Sequence, residues 1–235
     1  MYEWRGRPLE GVLFDLDGTL FDTLGDIAAA LNAAIETRGW RPFADDEVRR
    51  MIGRGSPILI QRAAAARGQS LDSAAEDHLL QLFFRHYEEL EQSGRSSAVP
   101  YAGAADTLSR LHRDGVRLGV VTNKQRRFAA ALVERRGFGA WIDVIVGGDT
   151  CARRKPDPQP LLFACDELQV SCAECLMVGD SGNDVDSARG AGMPVICVSY
   201  GYNEGRDPGT LGCDALIDSL ADLPALLSGS LRTFG

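Results

Sequence analysis

Short runs of consecutive apolar residues recur along the chain and constrain its fold more than any other feature. They are Gly11-Val12-Leu13-Phe14, Val116-Arg117-Leu118-Gly119-Val120-Val121, Ile142-Asp143-Val144-Ile145-Val146, Cys175-Leu176-Met177-Val178 and Val195-Ile196-Cys197-Val198. A strand that is apolar at successive positions is buried on both faces, as in a parallel sheet covered by helices. The segments between them, Ala104 to Asp114, Gln125 to Arg136 and Pro158 to Leu168, carry helical spacing. Strands alternating with helices predict βαβ units and an α/β fold.

Between Asp22 and Val99 the pattern changes. Thr23 to Arg38, Ser56 to Arg67 and Leu71 to Glu91 are rich in Ala, Leu and Glu at helical spacing, and no good strand interrupts them. This predicts an all-helical insertion after the first strand, closed by Gln92-Ser93-Gly94-Arg95-Ser96-Ser97 and Pro100. The apolar stripe Leu79, Leu82, Phe83 and Tyr87 reads as its core. The expected division is an α/β core over 1–23 and 98–235, with a helical cap over 24–97. A length of 235 residues, 45% of them hydrophobic, suffices for one sizeable core or a core plus a smaller inserted unit.

Polar residues cluster where the apolar runs end. The first run ends in Asp15-Leu16-Asp17-Gly18-Thr19, the second in Thr122-Asn123, and the fourth in Gly179-Asp180-Ser181-Gly182-Asn183-Asp184. Asp-x-Asp-Gly alone reads equally as an acidic turn or a calcium loop, and Asp180 to Asp184 as a capped helix start. In a parallel sheet, however, all carboxyl ends lie on one edge, where ligands bind. Lys155, followed by two prolines in Lys155-Pro156-Asp157-Pro158, sits between strand and helix and adds a cation whose approach the prolines would fix. Carboxylates for a hard divalent ion, a hydroxyl and amide for phosphate oxygens, and a cation for developing charge are what phosphoryl transfer requires.

With these motifs in this order, the chain resembles the haloacid dehalogenase-like superfamily of phosphohydrolases. The resemblance covers almost the whole chain and implies a Rossmann-like parallel sheet core with the helical insertion as a cap. It implies that Asp15 is the nucleophile forming an aspartyl-phosphate, and that Asp17 protonates the leaving alkoxide and later activates water. Thr122 and Asn123 would hydrogen-bond the phosphoryl oxygens, while Lys155 orients Asp15 and neutralises charge. Mg²⁺ would be held by Asp15, Asp180 and the backbone carbonyl of Asp17, supported by Asp184. The cap would move as a lid with hinges near Thr23-Leu24-Gly25 and Ser97 to Pro100.

Tyr200-Gly201-Tyr202-Asn203 and Ile52-Gly53-Arg54-Gly55 are similar to segments of phosphoglycolate phosphatases, which implies 2-phosphoglycolate as substrate and Arg54 as the cap group meeting its carboxylate. The alternatives are a phosphosugar phosphatase, a β-phosphoglucomutase-like phosphomutase, and a catalytically silent phosphate-binding module. Gln125 follows Thr-Asn-Lys where the family commonly has proline, which leaves the direction of Lys124 open. A net charge of −8 argues against nucleic acid as partner. No apolar stretch approaches a membrane span, and Met1-Tyr2-Glu3-Trp4-Arg5 lacks the apolar run of a signal peptide, so a cytoplasmic monomer or homodimer is expected. The six scattered cysteines argue against a disulfide framework, and Cys172-x-x-Cys175 reads as two small buried residues entering a strand rather than half a zinc site.

Overall fold

The computed structural model describes residues 2–228. A two-strand hairpin, β1 (Glu3–Trp4) and β2 (Arg7–Pro8), leads into β3 (Gly11–Phe14), which is buried throughout. A turn follows to β4 (Phe21–Asp22), which pairs antiparallel with β5 (Val99–Pro100). Between these two short strands lie α1 (Leu24–Glu36), α2 (Asp45–Arg49), α3 (Ser56–Ala66) and α4 (Ser73–Gln92). Beyond them run α5 (Ala104–Arg113), β6 (Arg117–Val121), α6 (Arg126–Arg135), β7 (Val144–Val146), α7 (Gln159–Leu168), β8 (Cys175–Gly179), α8 (Gly182–Gly190), β9 (Val195–Val198), β10 (Ala215–Ile217) and α9 (Leu223–Leu227).

Six strands form one sheet in the order β10-β9-β8-β3-β6-β7, and every pairing in it is parallel. Its two faces can be read from alternate residues. Val12, Phe14, Leu118, Val120, Leu176 and Val178 enter one apolar cluster, and Leu13, Val121, Met177 and Val195 enter the other. The first strand, β3, lies between β6 and β8, and successive connections leave it in opposite directions. A crevice therefore opens at the carboxyl ends of these three strands.

Helices α1–α4 build a third apolar cluster of their own around Leu31, Ile35, Ile60, Leu79, Phe83 and Tyr87. Two residues from beyond β5 join it, Phe128 of α6 and Tyr202 after β9. Phe128 stacks at an angle on Phe84 and meets Tyr87 edge-on, with ring centroids 5.6 and 5.2 Å apart.

Several expectations need correction. Helix α2, five residues long, is not predicted by the sequence, because Asp45-Asp46-Glu47-Val48-Arg49 shows no apolar period; its start is held from one side, the Ala44 amide donating to Glu47 Oε2 at 2.8 Å. The β4–β5 pair and the half-exposed β10 are too short to show periodicity. Cys175 is buried at the start of β8, but Cys172 is only half-buried in the turn before it. No helix among the described residues is long and apolar enough to cross a membrane.

Candidate active site

Asp15 follows β3 directly, its backbone amide bonded to Val178 of β8, so its side chain emerges at the crevice. Thr122 is placed in the same way after β6 by a bond to Val146. Asp180 follows β8, and Ser181 caps α8 reciprocally with Asp184. The structure therefore brings Asp15, Asp17, Thr122, Asn123 and Asp180 around one cavity of about 50 Å³, space for a few waters.

Lys155 is buried beside the cavity, against Asp15. Its ammonium donates to Val121 O and Asp184 Oδ1, both at 2.6 Å, and lies 3.0 Å from Asp15 Oδ1. Burial depresses its pKa, but the Asp15 and Asp184 carboxylates outweigh that, and the net direction is up. Asp184 is saturated: its other oxygen accepts from the Asp180 amide and from the amide and hydroxyl of Ser181.

The carboxylate oxygens of Asp15, Asp180 and Asp184 come within 4.8 Å of one another. Burial drives the Asp15 carboxyl up to about 6, and although Lys155 opposes this, Asp184 and Asp17 add to it. Asp180 is also raised well above the carboxylate range, by burial first and then by Asp184 and Asp15. Asp15 Oδ1 is buried, with the Lys155 ammonium its one close polar neighbour among the described residues. Clustered anionic oxygens fit a hard divalent cation, so this cluster could hold a metal.

Asp180 is held at this point by close backbone approach. Its Oδ2 accepts from the Tyr202 amide. A Cβ on Gly18, at φ +89°, would lie 2.2 Å from the same oxygen, and one on Gly201 would lie 2.2 Å from the Asp180 Cβ. Both glycines are therefore needed for their lack of a side chain.

Other residues differ from expectation. Asn123, expected to donate to phosphoryl oxygens, has its amide nitrogen on Gly53 O and Lys155 O at 2.9 and 3.0 Å, so it ties the α2–α3 loop to the lysine loop instead. Arg54, expected to reach the substrate, does not line the cavity. Its side chain is 52% exposed and pairs with Glu204 at 3.3 Å. Glu204 also receives Arg62 of α3 at 2.6 Å.

Lys124, left undirected by the sequence, is buried with its ammonium 3.0 and 3.3 Å from the two oxygens of Asp17 and 4.4 Å from the ring centre of Tyr87. Asp17 Oδ1 also accepts from Thr23 at 2.7 Å. The Tyr202 hydroxyl bonds the amides of Thr23 and Leu24 and the Asp22 carboxylate, clamping the start of α1. Sequence reasoning missed the roles of Tyr202 and Glu204, whose partners lie 142 to 180 residues away.

The comparison with known proteins agrees with this geometry. The family model of haloacid dehalogenase-like hydrolases matches residues 12–198. The chain belongs to this family. Among haloacid dehalogenase-like proteins it is similar to the phosphoglycolate phosphatase of Pseudomonas fluorescens Pf-5, with 38% identity over 231 residues, covering 97% of this chain and 82% of that one. The plasmid-borne phosphoglycolate phosphatase of Cupriavidus necator H16 is 42% identical over 226 residues, covering 94% of each chain. In three dimensions, a predicted phosphoglycolate phosphatase from Haemophilus somnus 129PT superposes with a TM-score of 0.87 at 28% identity, over 93% of this chain and 97% of that one. CbbY of Rhodobacter sphaeroides, solved with phosphate, follows at 0.79 and 27%, over 93% and 99%.

Proposed function

We propose that this haloacid dehalogenase-like hydrolase is a Mg²⁺-dependent phosphatase of small phosphomonoesters, with 2-phosphoglycolate as its substrate. The observation that carries the reading is the convergence of Asp15, Asp17, Thr122, Lys155 and Asp180 at one sheet edge. The relatives named phosphoglycolate phosphatase support the substrate.

In this reading a carboxylate oxygen of Asp15 attacks phosphorus, the bond to the ester oxygen breaks, and an aspartyl-phosphate forms. Asp17 gives its proton to the departing alkoxide, then takes one from a water that attacks the same phosphorus, releasing phosphate and restoring Asp15. The Thr122 hydroxyl, buried and already accepting the Lys124 amide at 3.2 Å, is free to donate to a phosphoryl oxygen. Lys155, anchored by Val121 and Asp184, fixes Asp15 in place. Asp15, Asp180 and the Asp17 carbonyl would hold Mg²⁺, with Asp184 acting through Lys155 and the Asp180 amide. When bound, the ion supplies charge to neutralise the phosphoryl oxygens. Residues 24–97 act as a cap over the core formed by 1–23 and 98–235, closing over bound substrate to shield the site from bulk solvent.

Phosphate release from 2-phosphoglycolate tests this. The unsubstituted protein releases phosphate, chelation abolishes the release, and Mg²⁺ restores it. Asp15→Asn falls to background, because an amide is neither a nucleophile nor a good Mg²⁺ ligand. Turnover that survives either treatment overturns the proposed function.

A further inference from the structure

The cavity has two unlike halves. Asp15, Asp17, Asp180 and Thr122 surround its base, whereas its upper wall is built from Ile27, Ile52, Leu59, Phe83 and Phe128. A polyhydroxylated leaving group placed against that wall would lose its hydrogen bonds to water and regain few. What the upper half does offer is narrow. Five buried side-chain polar atoms among the described residues lack a hydrogen-bond partner, and three belong to cavity-lining residues: Asp15 Oδ1, which has only its ion pair with Lys155, Asn123 Oδ1 and the Tyr87 hydroxyl. Of these, only the hydroxyl can donate. Tyr87 is 1% exposed, and a donor held that deeply without a protein acceptor calls for a partner inside the cavity, a water in the free protein and a substrate acceptor in the complex.

Beside it stands a cation. The Lys124 ammonium sits over the Tyr87 ring at 4.4 Å, and Asp17 holds it from the other side at 3.0 Å. A leaving group whose ester oxygen meets Asp17 therefore carries its next substituent toward Lys124 and Tyr87. Arg54 is not available for this, since it lies outside the cavity on Glu204.

Resting on the phosphatase reading above, we propose that Tyr87 and Lys124 form the subsite that selects the substrate, receiving a carboxylate borne by the leaving group. The phenol donates one hydrogen bond and the ammonium supplies the opposing charge. The substrate class is accordingly a compact phosphomonoester with an anionic group one or two atoms from the ester oxygen, and sugar phosphates are poor substrates.

Tyr87→Phe tests the assignment because it removes the hydroxyl and keeps the ring under Lys124. The readout is the ratio of kcat/KM for 2-phosphoglycolate to that for ethyl phosphate, in which a methyl replaces the carboxylate. The ratio falls about ten- to a hundredfold in the variant, the worth of one hydrogen bond to a charged group. Inhibition by glycolate weakens in parallel, while inhibition by inorganic phosphate holds. An unaltered ratio, an equal loss on both esters, or a ratio near one in the unsubstituted protein overturns the subsite and leaves the phosphatase reading standing. Failure of the unsubstituted protein to release phosphate from either ester overturns both.

Discussion

Asp15 and Asp180 share a pocket with the Asp184 carboxylate and the Lys155 ammonium close by, and the raised carboxyl of each records the cost of ionising there. The sign of the pH effect follows. A carboxyl raised from its ordinary value near 4 to about 6 favours the metal-free fold fully below the lower value, and that contribution is lost as pH rises through the upper one. A divalent cation competes with protons for the same oxygens, so its benefit grows in the opposite direction. Added Mg²⁺ should therefore raise the melting temperature more at pH 8 than at pH 5. Thermal scans at both values check this, and an equal or larger gain at pH 5 would remove these carboxylates as the ion's ligands. At this scale Asp15, Thr122 and Asp180 were legible as cavity-lining positions, because each sits where an apolar run stops. Tyr87 was not: a phenol in a stripe with Leu79, Leu82 and Phe83 has the spacing of core, and only its unpartnered hydroxyl distinguishes it.

Among elements, the loop from Met51 to Gly55 is bound to the sheet edge through three points. Gly53 O accepts from Asn123 and, at 3.4 Å, from Asn183, and Glu204 gathers Arg54 and Arg62. The Arg54 arm is half exposed and is worth about 0–1 kcal/mol. The Arg62 arm is better shielded and shorter, and the same guanidinium holds Met51 O at 3.0 Å. Glu204→Gln keeps the shape but removes the charge from both arms. We expect amide exchange in residues 51–60 to accelerate and the melting temperature to fall by about 2–4 °C, which corresponds to roughly 1 kcal/mol in a chain of this size. Unchanged exchange in that segment would show that the two arginines do not hold the loop. Long helices and fully buried strands were legible in the sequence because burial imposes a period on them. This tie was not, since Glu204 and Arg62 stand 142 residues apart and an exposed-looking acid between Asn203 and Gly205 carries no local signal.

For the whole molecule, the division into a parallel sheet and a helical insertion was legible because the two parts bury their side chains with different periods, two-sided in the strands and one-sided in the helices. What the pattern could not show is that the seam between them carries apolar contacts beside its polar ties. Phe128 and Tyr202 belong by sequence to the sheet layer, yet both are buried in the cluster of α1–α4, at 6% and 1% exposure. Any separation of the two layers that admits substrate must bring these rings toward water. Exposing apolar surface raises heat capacity, by about 0.45 cal/K/mol for each Å². The opening step thus has an enthalpy that changes with temperature. If opening limits turnover, the Eyring plot of kcat bends instead of running straight, and Phe128→Ala, with less apolar surface to uncover, straightens it. A linear plot for both proteins would mean that the seam stays shut during the slow step, and the rings at the seam would then act as a permanent joint rather than a thermal spring.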